Sequence, residues 1–350
     1  MVKRTALANL FLIGVSFAHH GTATLGGVGL EGPGVPIETS SSYTLPEGHW
    51  LFSLKLDYPK FRKYSFENFP DQKDYYQFWT LGIGYGFKPW LSGYLFVPYY
   101  IKKEIKSLDE NDPSVGQYEY RNAGFADPLI MVVFGFKYDE GFMLPPKRES
   151  LDELMDWRFS LYGGISLPTG ETEKYDRKRN PNGDFSPDMA TGFGKPTIIL
   201  GFTSSKQLES FPKLTFTLDT NYTKFFEHEY NYGQSIGSPR KKYKFGDEFR
   251  LNLASVYKLY SSAERGFRID AVLEANFQYN QKDKEDGIKL EDSGGKILYG
   301  TFGGKLYYKN LSLAAGLKLP LWKDLNQHNQ QQGAEGKEKY RLLMSLSFTF

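Results

Sequence analysis

Three features of the 350-residue sequence predict a closed antiparallel β-barrel that spans a membrane: a two-residue hydrophobic period, a hydrophilic but aromatic-rich composition, and alternating long and short connections. The clearest period ends the chain. In Tyr340 to Phe350, YRLLMSLSFTF, the apolar set Tyr340, Leu342, Met344, Leu346, Phe348 and Phe350 alternates with Arg341, Leu343, Ser345, Ser347 and Thr349. Such spacing gives a strand one greasy and one wet face. The composition fits: aromatics reach 17%, with 28 Phe, 25 Tyr and 5 Trp, yet mean hydropathy is −0.49. Spanning helices need ~20 apolar residues, whereas each barrel strand shows only half its residues to lipid.

The front of the chain is set apart. Lys3 and Arg4 precede an apolar run from Thr5 to Phe17, and Ser16 and Ala18 suit cleavage before His19. Residues 1–18 therefore read as a secretory signal peptide. Removing Lys3 and Arg4 takes the formal charge from +2 to zero, which gives no reason to expect a nucleic-acid partner. The sequence has no Cys, which excludes thiol chemistry and suits the envelope of a Gram-negative bacterium better than a disulfide scaffold. Residues 19–46, rich in Gly, Pro, Ser and Thr, read as an extended segment ahead of a barrel over 47–350.

Strands follow in order. Trp50 to Tyr58 alternates cleanly, as does Trp79 to Phe87, where Gly82, Gly84 and Gly86 fill the wet face. The faces of Trp90 to Lys102 are hard to tell apart, and Pro128 to Tyr138 is apolar on nearly both, with Ile130, Val132, Phe134 and Phe136 as the expected outer set. Trp157 to Leu167 is clean, Gly194 to Ser204 and Lys213 to Thr223 are weaker, and Phe249 to Ala254 and Phe267 to Tyr279 are clean. Ile297 to Tyr308 and Leu311 to Leu319 form a hairpin, and Tyr340 to Phe350 completes about twelve strands.

Odd-to-even connections are long and polar: Pro59–Tyr75, Lys103–Asp127, Thr169–Phe193, Lys224–Asp247, Gln281–Gly295 and Pro320–Lys339. Even-to-odd ones are short, except Asp139–Asp156, where Ser150-Leu151-Asp152-Glu153 suggests a short helix. Bacterial barrels have even strand numbers, short periplasmic turns and longer external loops. The alternation predicts that both mature termini are periplasmic and that the last strand pairs with the first. The expected lipid faces carry almost no charge, in keeping with a cost of roughly 2–4 kcal/mol for Arg or Lys at mid-membrane.

Several phrases carry a resemblance: Gly32-Pro33-Gly34-Val35-Pro36-Ile37-Glu38-Thr39-Ser40, Leu45-Pro46-Glu47-Gly48, Gly124-Phe125-Ala126-Asp127-Pro128 and Ser166-Leu167-Pro168-Thr169-Gly170-Glu171. The last two resemble the G-x-G-D-P and G-x-x-L-P-T-G signatures of the outer-membrane family named for the MetA pathway of phenol degradation, with Ala126 in place of a Gly. The resemblance spans Gly32 to Phe350 and implies an outer-membrane location and transport of small, aromatic solutes. A strand ending flush at an aromatic residue is also typical of such proteins, so Leu346, Phe348 and Phe350 are expected to be read by the barrel-assembly machinery.

Candidate solute-path residues on the inner face are Lys55, Asp57, Arg158, Arg250, Arg268, Asp270, Glu274 and Arg341. They form either a selective charged constriction or ion pairs that fill the interior; the neighbouring strands bring Arg250 near Arg268, Asp270 or Glu274. Glycine in a strand often marks close approach of another backbone, so the strip Gly82, Gly84, Gly86 suggests that residues 19–46 fold into the lumen as a plug. His19 and His20 are the one candidate copper site; His49, His228 and His328 lack ligand spacing, and no metal or cofactor is expected.

The expected function is a channel in the outer-membrane bilayer for passive diffusion of small molecules. The alternatives are a pore-less anchor or adhesin, using Phe225, Phe226, Tyr230, Tyr232 and Tyr243 in an external loop, and a barrel hydrolase of the Ser–His–Asn kind. For the hydrolase, His228 and His328 fall in loops and Glu227 and Glu229 read as solvated charge, so no enzyme is expected.

Overall fold

A computed structural model describes residues 34–62, 73–107, 117–147, 155–173, 187–231, 240–326 and 334–350. The expected signal peptide, the His19–His20 pair, His328, Tyr232 and the helix expected at Ser150–Glu153 lie outside these residues.

Twelve antiparallel strands close into a barrel. They are β1 (Trp50–Phe61), β2 (Lys73–Lys88), β3 (Leu91–Ser107), β5 (Leu129–Tyr138) extended by β4 (Gln117–Phe125), β7 (Trp157–Ser166), β8 (Ile198–Gln207), β9 (Leu214–Lys224), β12 (Glu248–Ser262), β13 (Phe267–Asn280), β16 (Gly295–Tyr308), β17 (Leu311–Leu325) and β18 (Glu338–Thr349). Short strands β6 (Phe142–Met143), β10 (His228–Tyr230), β11 (Lys241–Lys244), β14 (Lys284–Glu285) and β15 (Ile288–Lys289) lie outside the ring, the last four as a separate sheet. One helical turn, α1 (Ala334–Lys337), precedes β18.

The expected seam is present. β1 pairs with β18 from Leu51↔Thr349 to Asp57↔Leu343, and Trp50 and Phe350 exchange backbone hydrogen bonds of 2.8 and 3.0 Å. Closure leaves no sheet edge to satisfy in lipid. Outward positions form an apolar band that includes Leu54, Leu81, Val132, Leu161, Leu200, Leu253, Leu273, Phe302 and Met344, all exposed. Water would oppose so large an apolar surface; lipid accommodates it. Trp50, Trp157, Tyr308 and Phe350 mark the rim at the short-turn end.

The structure departs from the sequence reading in several places; β2 begins earlier, at Lys73, and β12 runs on to Ser262. β3 and β17 run past the expected ends into polar sequence, to Ser107 and Leu325. β4 arises inside a stretch read as loop: β3 pairs with β5 over Leu91–Phe96 and with β4 over Tyr99–Ser107, so Ala126-Asp127-Pro128 interrupts a single long strand. β8 begins at Ile198, not Gly194, because Gly194 takes a positive φ of 67° that a strand does not use.

Candidate functional site

The interior has two unlike walls. On β2, β3, β5, β7 and β8 the inward side chains are largely apolar: Phe78, Tyr94, Phe96, Tyr100, Leu129, Met131, Val133, Tyr162 and Ile199. Of these strands, β3 and β5 resisted face assignment in the sequence for this reason. On β1, β9, β12, β13 and β16 to β18 the buried inward side chains are mostly polar and include the charged Asp57, Asp219, Glu248, Arg250, Asp270, Glu274, Lys305, Lys318, Glu338 and Arg341, with a small apolar patch of Val256, Val272, Ala314 and Leu343 among them.

Residues 34–46 form a finger that enters from the short-turn end and touches both walls. Every residue from Gly34 to Ser42 is buried, although stretches of this composition ordinarily stay solvated. The ascending arm lies on the charged wall. The Gly34 N–H donates to Asp270 at 3.1 Å, and the Lys305 ammonium donates to the Pro36 carbonyl at 3.2 Å. One carboxylate then holds the apex: Glu274 accepts the N–H groups of Ile37 (2.6 Å), Glu38 (3.0 Å) and Thr39 (2.8 Å), plus the Thr39 hydroxyl (2.6 Å). Consecutive backbone N–H groups on one anion make a strong, charge-assisted cradle. Ile37 packs with Val256, Val272, Ala314 and Leu343. Glu38, 2% exposed, meets Lys318 in a buried ion pair at 2.5 Å.

The descending arm crosses to the apolar wall. Tyr43 lies under the Arg158 guanidinium at 4.6 Å, the Thr44 hydroxyl donates to the Pro89 carbonyl, and the Leu45 N–H donates to Ser92 Oγ at 2.8 Å. Leu45 is fully buried among Leu51, Tyr94, Leu129, Met131 and Val133. Glycines make the room: a Cβ on Gly86 would fall 2.1 Å from the Pro46 carbonyl oxygen, and one on Gly303 would fall 2.7 Å from Ile37 Cδ1. Of the strip on β2, Gly86 faces the finger's backbone and Gly84 the Leu45 and Tyr94 side chains, whereas Gly82 faces Ser53 and Phe96.

The eight candidate residues all have inward, buried or half-buried side chains, but they do not make one ring. Arg341 bridges Asp57 (3.1 Å) and Glu338 (2.8 Å), with Lys55, Arg250 and Lys318 around Glu38. Arg268 and Asp270 pair at 2.6 Å nearer the short-turn end, Glu274 holds the finger, and Arg158 stands on the opposite wall. Arg250 does not pair with Arg268, Asp270 or Glu274. Its neighbour across the strands is Gln278, and its partner is Glu248 at 2.6 Å, two residues along the same face of β12. Glu38, Lys305, Lys318, Glu248 and Glu338 escaped the sequence reading. Glu38 sat in a segment without a period, and its partner Lys318 is 280 positions away.

Beyond the apex a pocket lies between the finger and the long-loop end, with Tyr100, Met131, Tyr162, Phe193 and Ile199 on one side and Asn221, Thr223, Glu248 and Arg250 on the other. Its free volume of about 30 Å³ holds a couple of water molecules. Residues 187–193 of the connection after β7 fold inward over it. The Lys102 ammonium donates to the carbonyls of Asp188 and Ala190, both at 2.7 Å, and the Asn122 amide donates to Met189 at 2.8 Å. Asp127 accepts the N–H groups of Gly170 (2.7 Å) and Phe193 (2.8 Å), joining the two short motifs GFADP and SLPTGE.

Three of the loop aromatics differ from expectation, while Phe226 is exposed. Phe225, Tyr230 and Tyr243 are buried with Phe245 against Phe193, so they consolidate this cap instead of presenting a contact surface. His228 packs edge-on to Tyr230 at 4.9 Å; its burial and Lys195 hold its pKa below the ordinary value. Burial pushes the Asp247 carboxyl up, but Lys244, Tyr222 and the Phe225 N–H outweigh that and hold it below the usual range.

Closure, the apolar band and the aromatic rim define an outer-membrane β-barrel. The chain belongs to the family described as "Putative MetA-pathway of phenol degradation", whose sequence profile matches residues 74–324. Among solved structures it is similar to the COG4313 outer membrane channel from Pseudomonas putida F1, with a TM-score of 0.60 and 13% identity over 89% of this chain and 98% of that one. It also aligns with the NanC porin (TM-score 0.42, 8% identity, 85% of this chain and 98% of that one). The TodX deltaS2S3 mutant monoaromatic hydrocarbon channel aligns at TM-score 0.40 and 8% identity, over 87% of this chain and 90% of that one. No curated protein sequence matches significantly.

Proposed function

We propose that this protein is a passive outer-membrane channel for small molecules with an apolar or aromatic body, closed at rest by its own N-terminal finger. The observation that carries the reading is the placement of residues 34–46 across the lumen, joined to the wall by hydrogen bonds, one ion pair and two apolar anchors, Ile37 and Leu45. Those contacts are reversible. Short turns face the periplasm in barrels of this class, so the finger enters from the periplasm and the 187–193 fold guards the outer mouth. The similar Pseudomonas protein is itself described as an outer membrane channel.

Solute passes along the apolar wall, where Tyr100, Met131 and Tyr162 offer contact to a ring, while the facing polar groups keep a wet path. No energy coupling or chemical step is needed. Leu346, Phe348 and Phe350, exposed on the lipid side at the β1–β18 seam, suit recognition by the barrel-assembly machinery.

Liposome swelling tests the reading. Proteoliposomes of the variant lacking residues 19–45 are expected to admit arabinose and benzoate at least several-fold faster than those of the full chain. Exclusion of every solute by the deleted form contradicts a channel.

A further inference from the structure

The finger does more than fill space at its apex. Around Glu38 the wall supplies four cations, Lys55, Arg250, Lys318 and Arg341, and three carboxylates, Asp57, Glu248 and Glu338. Arg341 is committed to Asp57 and Glu338, and Arg250 to Glu248. Lys318 meets Glu38, and the field of Lys55 also falls on that carboxylate. Glu274, which accepts the Glu38 N–H, stands on the other side of the finger, so the pairing at stake is the one between Glu38 and Lys318. One oxygen of Glu38, Oε2, is buried with no hydrogen-bond partner among the described residues. An uncompensated ammonium buried at this depth would be costly, so withdrawal of the finger leaves a seat that favours an anion.

We propose that Glu38 is a tethered stand-in for solute, and that the vacated seat on Lys318, Lys55 and Arg250 binds the carboxylate of a small aromatic acid. Arg250 also lines the pocket above, across from Tyr100, Met131 and Tyr162. A carboxylate seated at Lys318 therefore has an apolar wall within reach for its ring. The pairing of an anionic head site with an apolar body site selects aromatic monocarboxylates over both aromatic amines and inorganic anions. Glu274, just below, is held off by the finger's N–H groups while the finger is in place, and repels the head group from going deeper once it leaves.

The inference rests on the finger being a displaceable plug, and the test separates the two. Purified full-length protein in planar bilayers at pH 7.5 is exposed in turn to benzoate, benzyl alcohol, benzylamine and inorganic phosphate. Benzoate is expected to raise opening frequency at least fivefold over any of the other three. Equal opening by phosphate or by benzyl alcohol overturns the aromatic-carboxylate assignment. In the channel lacking residues 19–45, benzoate is expected to block current, and Lys318→Gln to weaken that block about tenfold. Here Glu38 is absent, so the substitution strands no buried carboxylate; Lys55→Gln provides a second variant with the same expected direction. A deleted channel that conducts but is indifferent to benzoate overturns the carboxylate seat and leaves the plug intact. A deleted channel that does not conduct overturns the plug, and this inference with it.

Discussion

The two walls of the lumen hold the same finger by different physics. On the charged wall, Glu274, Asp270, Lys305 and Lys318 grip residues 34–39 through directional contacts between buried ionic or polar groups. On the apolar wall, Leu45 is packed among nonpolar side chains, helped by the stacking of Tyr43 under Arg158. Apolar packing degrades gradually when a side chain shrinks, whereas a buried ionic network fails sharply when one member is lost. A segment anchored firmly by Leu45 near the strand it leads into, and ionically at its far arm, has a natural order of release. Under the proposed gating, the arm on the charged wall would swing while the other stays.

The largest difference is expected from truncating each wall in turn. Arg341→Ala strands Asp57 and Glu338 in the interior and should destabilise the barrel by about 3–5 kcal/mol. Ile199→Val on the apolar wall should cost about 0.5–1.5 kcal/mol. Urea midpoints of the heat-modifiable folded band measure both; equal losses would erase the distinction between the walls. Next comes a wedge against the mobile arm. A Cβ at Gly316 meets Ile37 side-chain atoms at 3.2 and 3.5 Å and no closer backbone, so Gly316→Val should push the finger outward and raise opening frequency several-fold with the barrel still folded. Unchanged gating would place the release elsewhere.

The smallest effect concerns the cap. Because the Asp247 carboxyl is held below the usual range, its contribution to the 225–247 connection is present above the ordinary carboxylate pKa and is lost as pH falls through the lowered value. Limited proteolysis of that connection should therefore quicken below about pH 4, and Asp247→Asn should abolish the change. A pH-independent rate would remove Asp247 as a staple.

Much of the architecture was legible because a barrel strand writes its two faces into a two-residue period. Tyr340 to Phe350 and Phe267 to Tyr279 are clean, and their inner residues, Arg341, Asp270 and Glu274, face inward as the alternation requires. The ambiguous strands were informative too, since Pro128 to Tyr138 is apolar on both sides because Met131 and Val133 line an apolar lumen wall. Pairings across the interior were not legible. Arg250 finds Glu248 along its own strand, and Glu38 finds Lys318 through the path of a segment without any period. The β4 strand was hidden because Gln117 to Phe125 is polar in sequence and is shaped by its ladder with β3. The buried loop aromatics looked like a contact surface because composition does not tell a hydrophobic cluster within a loop from one offered outward.

Single-channel recording on the intact protein and on the form lacking residues 19–45 tests the central claim most directly. The finger account predicts rare, brief openings for the intact chain and sustained conductance for the deleted one, with both forms retaining the folded band. The same conductance in the two forms would contradict it.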